Sequence, residues 1–243
     1  MRTLVILPTY NERENIVPLI ERILELPLAL EVLVIDDNSP DGTANAVQDA
    51  FSKEERVHLH QREKKLGLGT AYTAGFRQAI DQGFEAAITM DADFSHDPRH
   101  LSQLCLAAPG YDLVIGSRYV PGGTTVNWGI LRKIISRVAN LNAHLLLSVK
   151  PQDCTSGYRL YHTATLKTLD YESVVADGYS YLIEILFRAS RRDLKIGEVP
   201  IIFVERLRGK SKISRKEIFK ALKTILRLRL HPESSRNSVA VRT

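Results

Sequence analysis

Two cysteines, Cys105 and Cys154, are all the chain contains, and they stand far apart in no spacing that a metal would use. Neither a disulfide framework nor a zinc site is suggested, a reducing compartment is the default, and both thiols are expected to be small buried hydrophobes. No run of about 18 apolar residues occurs, so no transmembrane helix is expected. The apolar stretch at the N-terminus is too short for a signal peptide and reads as a first strand, so the protein is expected to stay on the cytoplasmic side. Internal repeats are absent, as is any linker marking a second domain. What remains is 243 residues, 44% apolar and 25% charged, enough for a core of normal size.

Charge is unevenly placed. Residues 1–186 carry 17 Lys and Arg against 23 Asp and Glu, a net of −6, whereas residues 187–243 carry 16 against 5, a net of +11. A basic C-terminal quarter on an acidic body suggests an anionic partner: nucleic acid, a membrane surface or phosphates. A solvated basic tail is the alternative. The chain has no aromatic-rich single-strand platform and no recognisable nucleic-acid motif, so a nucleic-acid-binding module is the weaker reading.

Strand-like apolar runs at 3–8, 31–36, 56–60, 86–90 and 112–116 alternate with helical patterns at 14–26, 43–51, 68–82 and 99–107. In the first helix Ile16, Leu19, Ile20, Ile23 and Leu24 form one stripe. Near-continuous strands such as Val32-Leu33-Val34-Ile35 indicate burial on both faces. This alternation predicts a parallel, doubly wound, Rossmann-like α/β sheet with right-handed crossovers. Beyond residue 117 the spacing predicts a loop at 119–129, helices at 130–149, 179–192 and 216–230, strands at 157–161 and near 195–203, and a basic loop at 205–214.

Ligands of open α/β sheets sit beyond the carboxyl ends of the strands. Three such ends carry polar clusters: Pro8-Thr9-Tyr10-Asn11-Glu12, Asp36-Asp37-Asn38-Ser39-Pro40-Asp41-Gly42 and Asp91-Ala92-Asp93. Two carboxylates one residue apart can hold a hard divalent cation, and Mg²⁺ needs few protein ligands because it keeps waters and shares substrate phosphates. A solvated turn is the plain alternative for any isolated Asp-x-Asp. Asp36 and Asp37 invite a hydroxyl or base donor, although the residues after them also favour a turn. A glycosidase would need its two acids on opposite sides of the scissile bond, and neighbours on one strand end do not supply that.

These clusters, with Gly67, Ala71 and Gly75, resemble glycosyltransferase family 2 and its GT-A fold. Gly116-Ser117-Arg118-Tyr119, Arg132-Lys133-Ile134-Ile135-Ser136, Asp153-Cys154-Thr155-Ser156-Gly157-Tyr158-Arg159 and Arg206-Leu207-Arg208-Gly209-Lys210-Ser211-Lys212 narrow the likeness to polyprenol-phosphate (dolichol-phosphate) mannosyltransferases. The resemblance covers roughly residues 2–230. It implies one GT-A domain over 1–230; the residues themselves predict that this domain includes a basic amphipathic helix at 216–230 and that a polar, disordered tail follows over 231–243.

By the same resemblance, Pro8, Tyr10, Glu12, Ile35 and Asp37 hold the nucleoside of GDP-mannose, and Asp91, Ala92 and Asp93 approach its diphosphate and a Mg²⁺ or Mn²⁺ ion. Ser95 stands where relatives place a further metal ligand, commonly Gln. Arg118, Arg132 and Ser136 match positions that seat the acceptor's phosphate, and Arg206 and Lys212 match a loop over the donor diphosphate. Asp91, Asp93, Arg118 and Arg132 are the implied catalytic set. The implied reaction moves mannose, with inversion, to a polyprenyl monophosphate in a membrane. A transferase using a UDP-sugar, with glucose or GlcNAc as cargo, is the near alternative. The enzyme would then lie on the cytoplasmic face of the membrane as a peripheral protein, with a membrane anchor subunit as a candidate partner. The helices at 130–149 and 216–230, each with an apolar stripe beside basic residues, could provide the contact.

Overall fold

The computed structural model describes residues 1–176, 178–205 and 215–230. Its first half runs β1 (Thr3–Thr9), α1 (Arg13–Leu24), β2 (Leu30–Asp36), α2 (Thr43–Phe51), β3 (Val57–Gln61), α3 (Leu68–Asp81), β4 (Ala86–Thr89), α4 (Leu101–Ala107) and β5 (Leu113–Ser117). The second half holds β6 (Thr124–Val126), α5 (Ile130–Leu147), β7 (Arg159–His162), α6 (Thr163–Leu169), α7 (Tyr179–Arg191), β8 (Ile196–Pro200), β9 (Ile202–Val204) and α8 (Arg215–Leu230).

Seven strands form one sheet in the order β3-β2-β1-β4-β7-β5-β8, all parallel except β7. Side chains of a strand alternate between faces, so each strand feeds two cores. Leu4 and Ile6 pack with Phe76, Leu182 and Leu186 on one side. Val5 and Leu7 pack with Ile16, Leu19 and Leu104 on the other. Burial on both faces accounts for the unbroken apolar runs. Helix α3 lies flush on β1 because Gly75 has no side chain: a Cβ there would sit 2.7 Å from Ile6 Cδ1.

Three differences from the sequence reading matter for the site. β7, expected simply as a strand, is antiparallel and separates β5 from β4. The expected strand near 195–203 is two strands, because Ile201 joins two sheets: its N–H donates to the Ser117 carbonyl and its carbonyl accepts from Thr124 N–H. The expected loop at 119–129 contains β6, which pairs with β9. Short strands of this kind gain their stability from the partner, so the Gly- and Thr-rich segment showed no period of its own.

Candidate active site

Because β1, β2, β4 and β5 are parallel, their C-terminal ends open on one edge of the sheet, where the N-terminal end of β7 also lies. The β1 and β2 tips are stitched together. Asn11 N–H donates to Ser39 Oγ, Glu12 N–H to Thr43 Oγ1 and Arg13 N–H to Asp41 Oδ2, at 3.0–3.1 Å. Asp36 is fully buried and accepts from Thr9 Oγ1, Ser39 N–H and Ser39 Oγ, so it organises the turn. Asp37 is ion-paired with Arg62 and accepts from Gly67 N–H. Tyr10 lies beside them with Lys65 Nζ 3.7 Å above its ring, and Pro8 is half-buried at the same edge. Glu12 accepts from Asn15 Nδ2, and Ile35 is buried in the core. Of the five residues expected around a nucleoside, Pro8 and Ile35 lie on β1 and β2, Ile35 beneath the surface, and Tyr10, Glu12 and Asp37 lie in the segments that follow these two adjacent strands.

The chain leaving each of the three tips passes through a left-handed residue: Asn11 (φ 61°), Asn38 (φ 55°) and Phe94 (φ 62°). Asparagine tolerates that conformation, whereas phenylalanine there is a strained outlier of the kind that clusters at working sites. Asp93 and Ser95, on either side of Phe94, are joined by hydrogen bonds. Ser95 N–H and Oγ donate to Asp93 Oδ1 at 3.0 and 2.5 Å. Asp93 and Ala92 are buried, whereas the Asp91 side chain is 30% exposed. Asp91 N–H donates to His96 Nδ1 at 3.0 Å, which puts the ring proton on Nε2. His96 stacks on Tyr158 and meets the edge of Phe203. Burial drives its pKa down to about 3, so the ring is neutral and braces the Asp91 peptide.

Among the described residues no group of three or more His, Cys, Asp or Glu side chains converges as a metal cage. The donors present are nonetheless hard oxygens, and Asp91 faces a cavity large enough for phosphate ligands. That set fits a Mg²⁺ or Mn²⁺ ion completed by substrate and water. Asp91 and Asp93 would hold it, with the Ser95 hydroxyl orienting Asp93.

Across the opening stand Arg118, Arg132 and Ser136. Arg118, at the end of β5, places Nε and Nη2 on the two oxygens of Asp153 at 2.7 and 2.6 Å, and donates also to Thr155 Oγ1. Asp153 is fully buried. Burial alone would raise its pKa, but the charge, side-chain hydrogen bonds and backbone N–H of Arg118, with the charge of Arg159, hold it below the usual carboxylate value. The 153–158 loop is fixed further by Arg159, buried, which donates to the carbonyls of Cys154, Ser156 and Leu182. Arg132 lies over the Trp128 ring at 4.2 Å and pairs with Glu205. Tyr119 donates its hydroxyl hydrogen to Ser136 Oγ, leaving the serine hydrogen for another acceptor. Arg206 and Lys212 lie outside the described residues.

One cavity of about 870 Å³ joins Asp91 to the arginine side of the opening, whereas Pro8, Tyr10, Glu12, Ile35, Asp37 and Asp93 are not part of its lining. Its lining combines polar groups, Asp91, Arg118, Arg132 and Ser136, with apolar ones, Leu131, Ile134, Val138, Leu222 and Ile225. His96, Trp128, Phe203 and Glu205 also line it, and the sequence reading singled out none of them. For His96 a signal existed, five residues from Asp91. For Trp128, Phe203 and Glu205 there was none, because they reach the site from β9 and from the segment between β6 and α5.

A family model described as "Glycosyl transferase family 2" matches residues 4–170. The chain is 45% identical over 223 residues to the polyprenol monophosphomannose synthase of Mycolicibacterium smegmatis, covering 91% of this chain and 84% of that one. It is 43% identical over 214 residues to the undecaprenyl-phosphate mannosyltransferase of Micrococcus luteus, with 88% of each covered. Among solved structures, a mannosyltransferase of Pyrobaculum calidifontis in complex with GDP-Man and Mn²⁺ shares the fold at TM-score 0.57 and 18% identity, over 98% of this chain and 76% of that one. The acidic strand tips, the mostly parallel GT-A sheet and these likenesses agree: the chain is a glycosyltransferase and belongs to glycosyl transferase family 2.

Proposed function

We propose that the protein transfers mannose from GDP-mannose to a polyprenyl monophosphate at the cytoplasmic face of a membrane, inverting the anomeric carbon. The observation that carries this is the shared cavity. Its lining brings an acidic strand tip and two arginines together with apolar side chains of α5 and α8. A lipid phosphate has that same mixture. The names of the two curated relatives support the acceptor class and the sugar.

The residues of the chain then divide the work. Pro8, Tyr10, Glu12, Ile35 and Asp37 form the nucleoside end. Arg118, Arg132 and Ser136 seat the acceptor phosphate, arginine because its planar fork matches phosphate oxygens. Arg206 and Lys212 act on the donor diphosphate. A divalent ion held by Asp91 and Asp93 supplies neutralisation of the charge developing on the departing diphosphate. A phosphate monoester has a second pKa of about 6, so the nucleophilic oxygen carries its charge near neutrality and needs no strong base. One C–O bond to the diphosphate breaks as one C–O bond to the acceptor phosphate forms on the opposite face. Alignment and charge neutralisation are what the protein must provide.

Membrane contact follows from the helices that bound the cavity. α5 exposes Ile130, Leu131, Ile134, Val138, Leu141 and Leu145 beside Lys133 and Arg137. α8 exposes Leu222, Leu226 and Leu230 and buries Ile225 and Leu228. Among the described residues no helix is long and apolar enough to cross a membrane. An apolar face flanked by basic groups suits the surface of a bilayer carrying anionic lipid, and an anchor subunit could reinforce it.

A transfer assay with purified protein tests the proposal. It uses labelled GDP-mannose, UDP-glucose or UDP-GlcNAc, a short-chain polyprenyl phosphate and Mg²⁺ or Mn²⁺, with and without EDTA. Metal-dependent mannosyl transfer from GDP-mannose alone is expected. Transfer only from a UDP-sugar would move the protein to the alternative donor, and undiminished turnover in EDTA would remove the metal.

A further inference from the structure

The lining of the cavity already contains an anion supplied by the chain. Arg132 Nη1 donates to Glu205 Oε1 at 2.9 Å, and both residues line the cavity. Glu205 follows β9 and is held there by its own N–H, which donates to the Val126 carbonyl. The Arg132 guanidinium also lies over the Trp128 ring, 4.2 Å from its centroid, so the arginine is held from two sides. Yet this pairing leaves the wall undersupplied with acceptors. Arg132 Nε and Trp128 Nε1 are buried and find no hydrogen-bond partner among the described residues. Buried donors in native proteins are nearly always met. A tetrahedral phosphate carries more acceptor oxygens than a carboxylate and close to two charges near neutrality. A carboxylate and that dianion would repel each other if both stayed against one guanidinium.

We propose that Glu205 is an internal competitor for the acceptor phosphate. Its carboxylate occupies Arg132 in the empty cavity and must leave that guanidinium when phosphate enters. The pair re-forms as product departs, so it lowers affinity for acceptor and product alike. The inference rests on the reading of Arg132 as a phosphate-seating residue.

Steady-state kinetics with a short-chain polyprenyl monophosphate separates the two. Glu205→Gln keeps size and removes charge at a partly exposed position, so the fold is retained. A partly exposed ion pair contributes up to about 1 kcal/mol, so the acceptor KM is expected to fall roughly fivefold. The donor KM should be unchanged. In an Arg132→Ala background, which by itself raises the acceptor KM, the same Glu205→Gln change should give no gain, since the contested group is absent. An acceptor KM that is unchanged or raised in Glu205→Gln, with Arg132→Ala still impaired, overturns the competition alone. If Arg132→Ala leaves the acceptor KM untouched, the phosphate seat and the competition fall together.

Discussion

Replacing Asp153 with asparagine tests how the Arg118 side of the site is held. The Asp153 carboxylate takes both Arg118 fork nitrogens, the Arg118 backbone N–H and the Ser156 N–H, all within 3.0 Å. The two side chains are 0% and 7% exposed. An asparagine keeps the shape, but its amide would set N–H groups against these donors, and the arginine charge would lose its partner. Removing one member of a buried pair costs about 3–5 kcal/mol, a large part of the roughly 5–15 kcal/mol that stabilises a typical domain. With a urea slope near 3 kcal/mol/M, the unfolding midpoint should fall by roughly 1 M or more. The acceptor KM should rise at least about tenfold as Arg118 loses its brace, equivalent to roughly 1.4 kcal/mol. The pH dependence has a defined sign. Because the folded pKa of Asp153 is depressed, its contribution is complete above the unfolded value of about 3.9 and is lost as pH falls through the folded one. Asp153→Asn should therefore flatten the acid limb of the stability curve. Arg118→Met combined with Asp153→Leu should recover much of the stability while transfer stays lost, which separates scaffold from chemistry. An Asp153→Asn protein within about 1 kcal/mol of the parent, with parental acceptor KM, would refute the reasoning.

Asp93→Ala is expected to abolish transfer with the fold intact, and parental turnover by that variant would remove the metal assignment. The protein should float with anionic liposomes at low ionic strength and lose that association as salt shortens the Debye length from about 10 Å at 0.1 M toward about 3 Å at 1 M; failure to float at low salt would end the surface-binding proposal. Glu184, buried on α7, receives Arg188 of its own helix and Arg227 of α8. Glu184→Gln should accordingly speed amide exchange along α8, and unchanged protection there would show that apolar packing alone holds the helix.

The local sequence was enough to read the parallel half of the sheet, because strands buried on both faces must be apolar throughout and the helices between them must show one stripe. It also indicated the acidic tips, because three of them follow strands whose C-terminal ends share one edge, and with the arginine motifs it pointed to the family, although Asp36 turned out to organise its own turn. What only the tertiary structure decided is how distant pieces share one cavity. The antiparallel insertion of β7 depends on pairing between segments some seventy residues apart, from Ile88 to Leu160, and no local period encodes such pairing. The bracing of Arg118 by Asp153, of Asp91 by His96 and of Arg132 by Trp128 and Glu205 arises when β5, α5, β7 and β9 converge. Propensity and periodicity report on neighbours along the chain, whereas hydrogen bonds and ring contacts of this kind depend on distance in space.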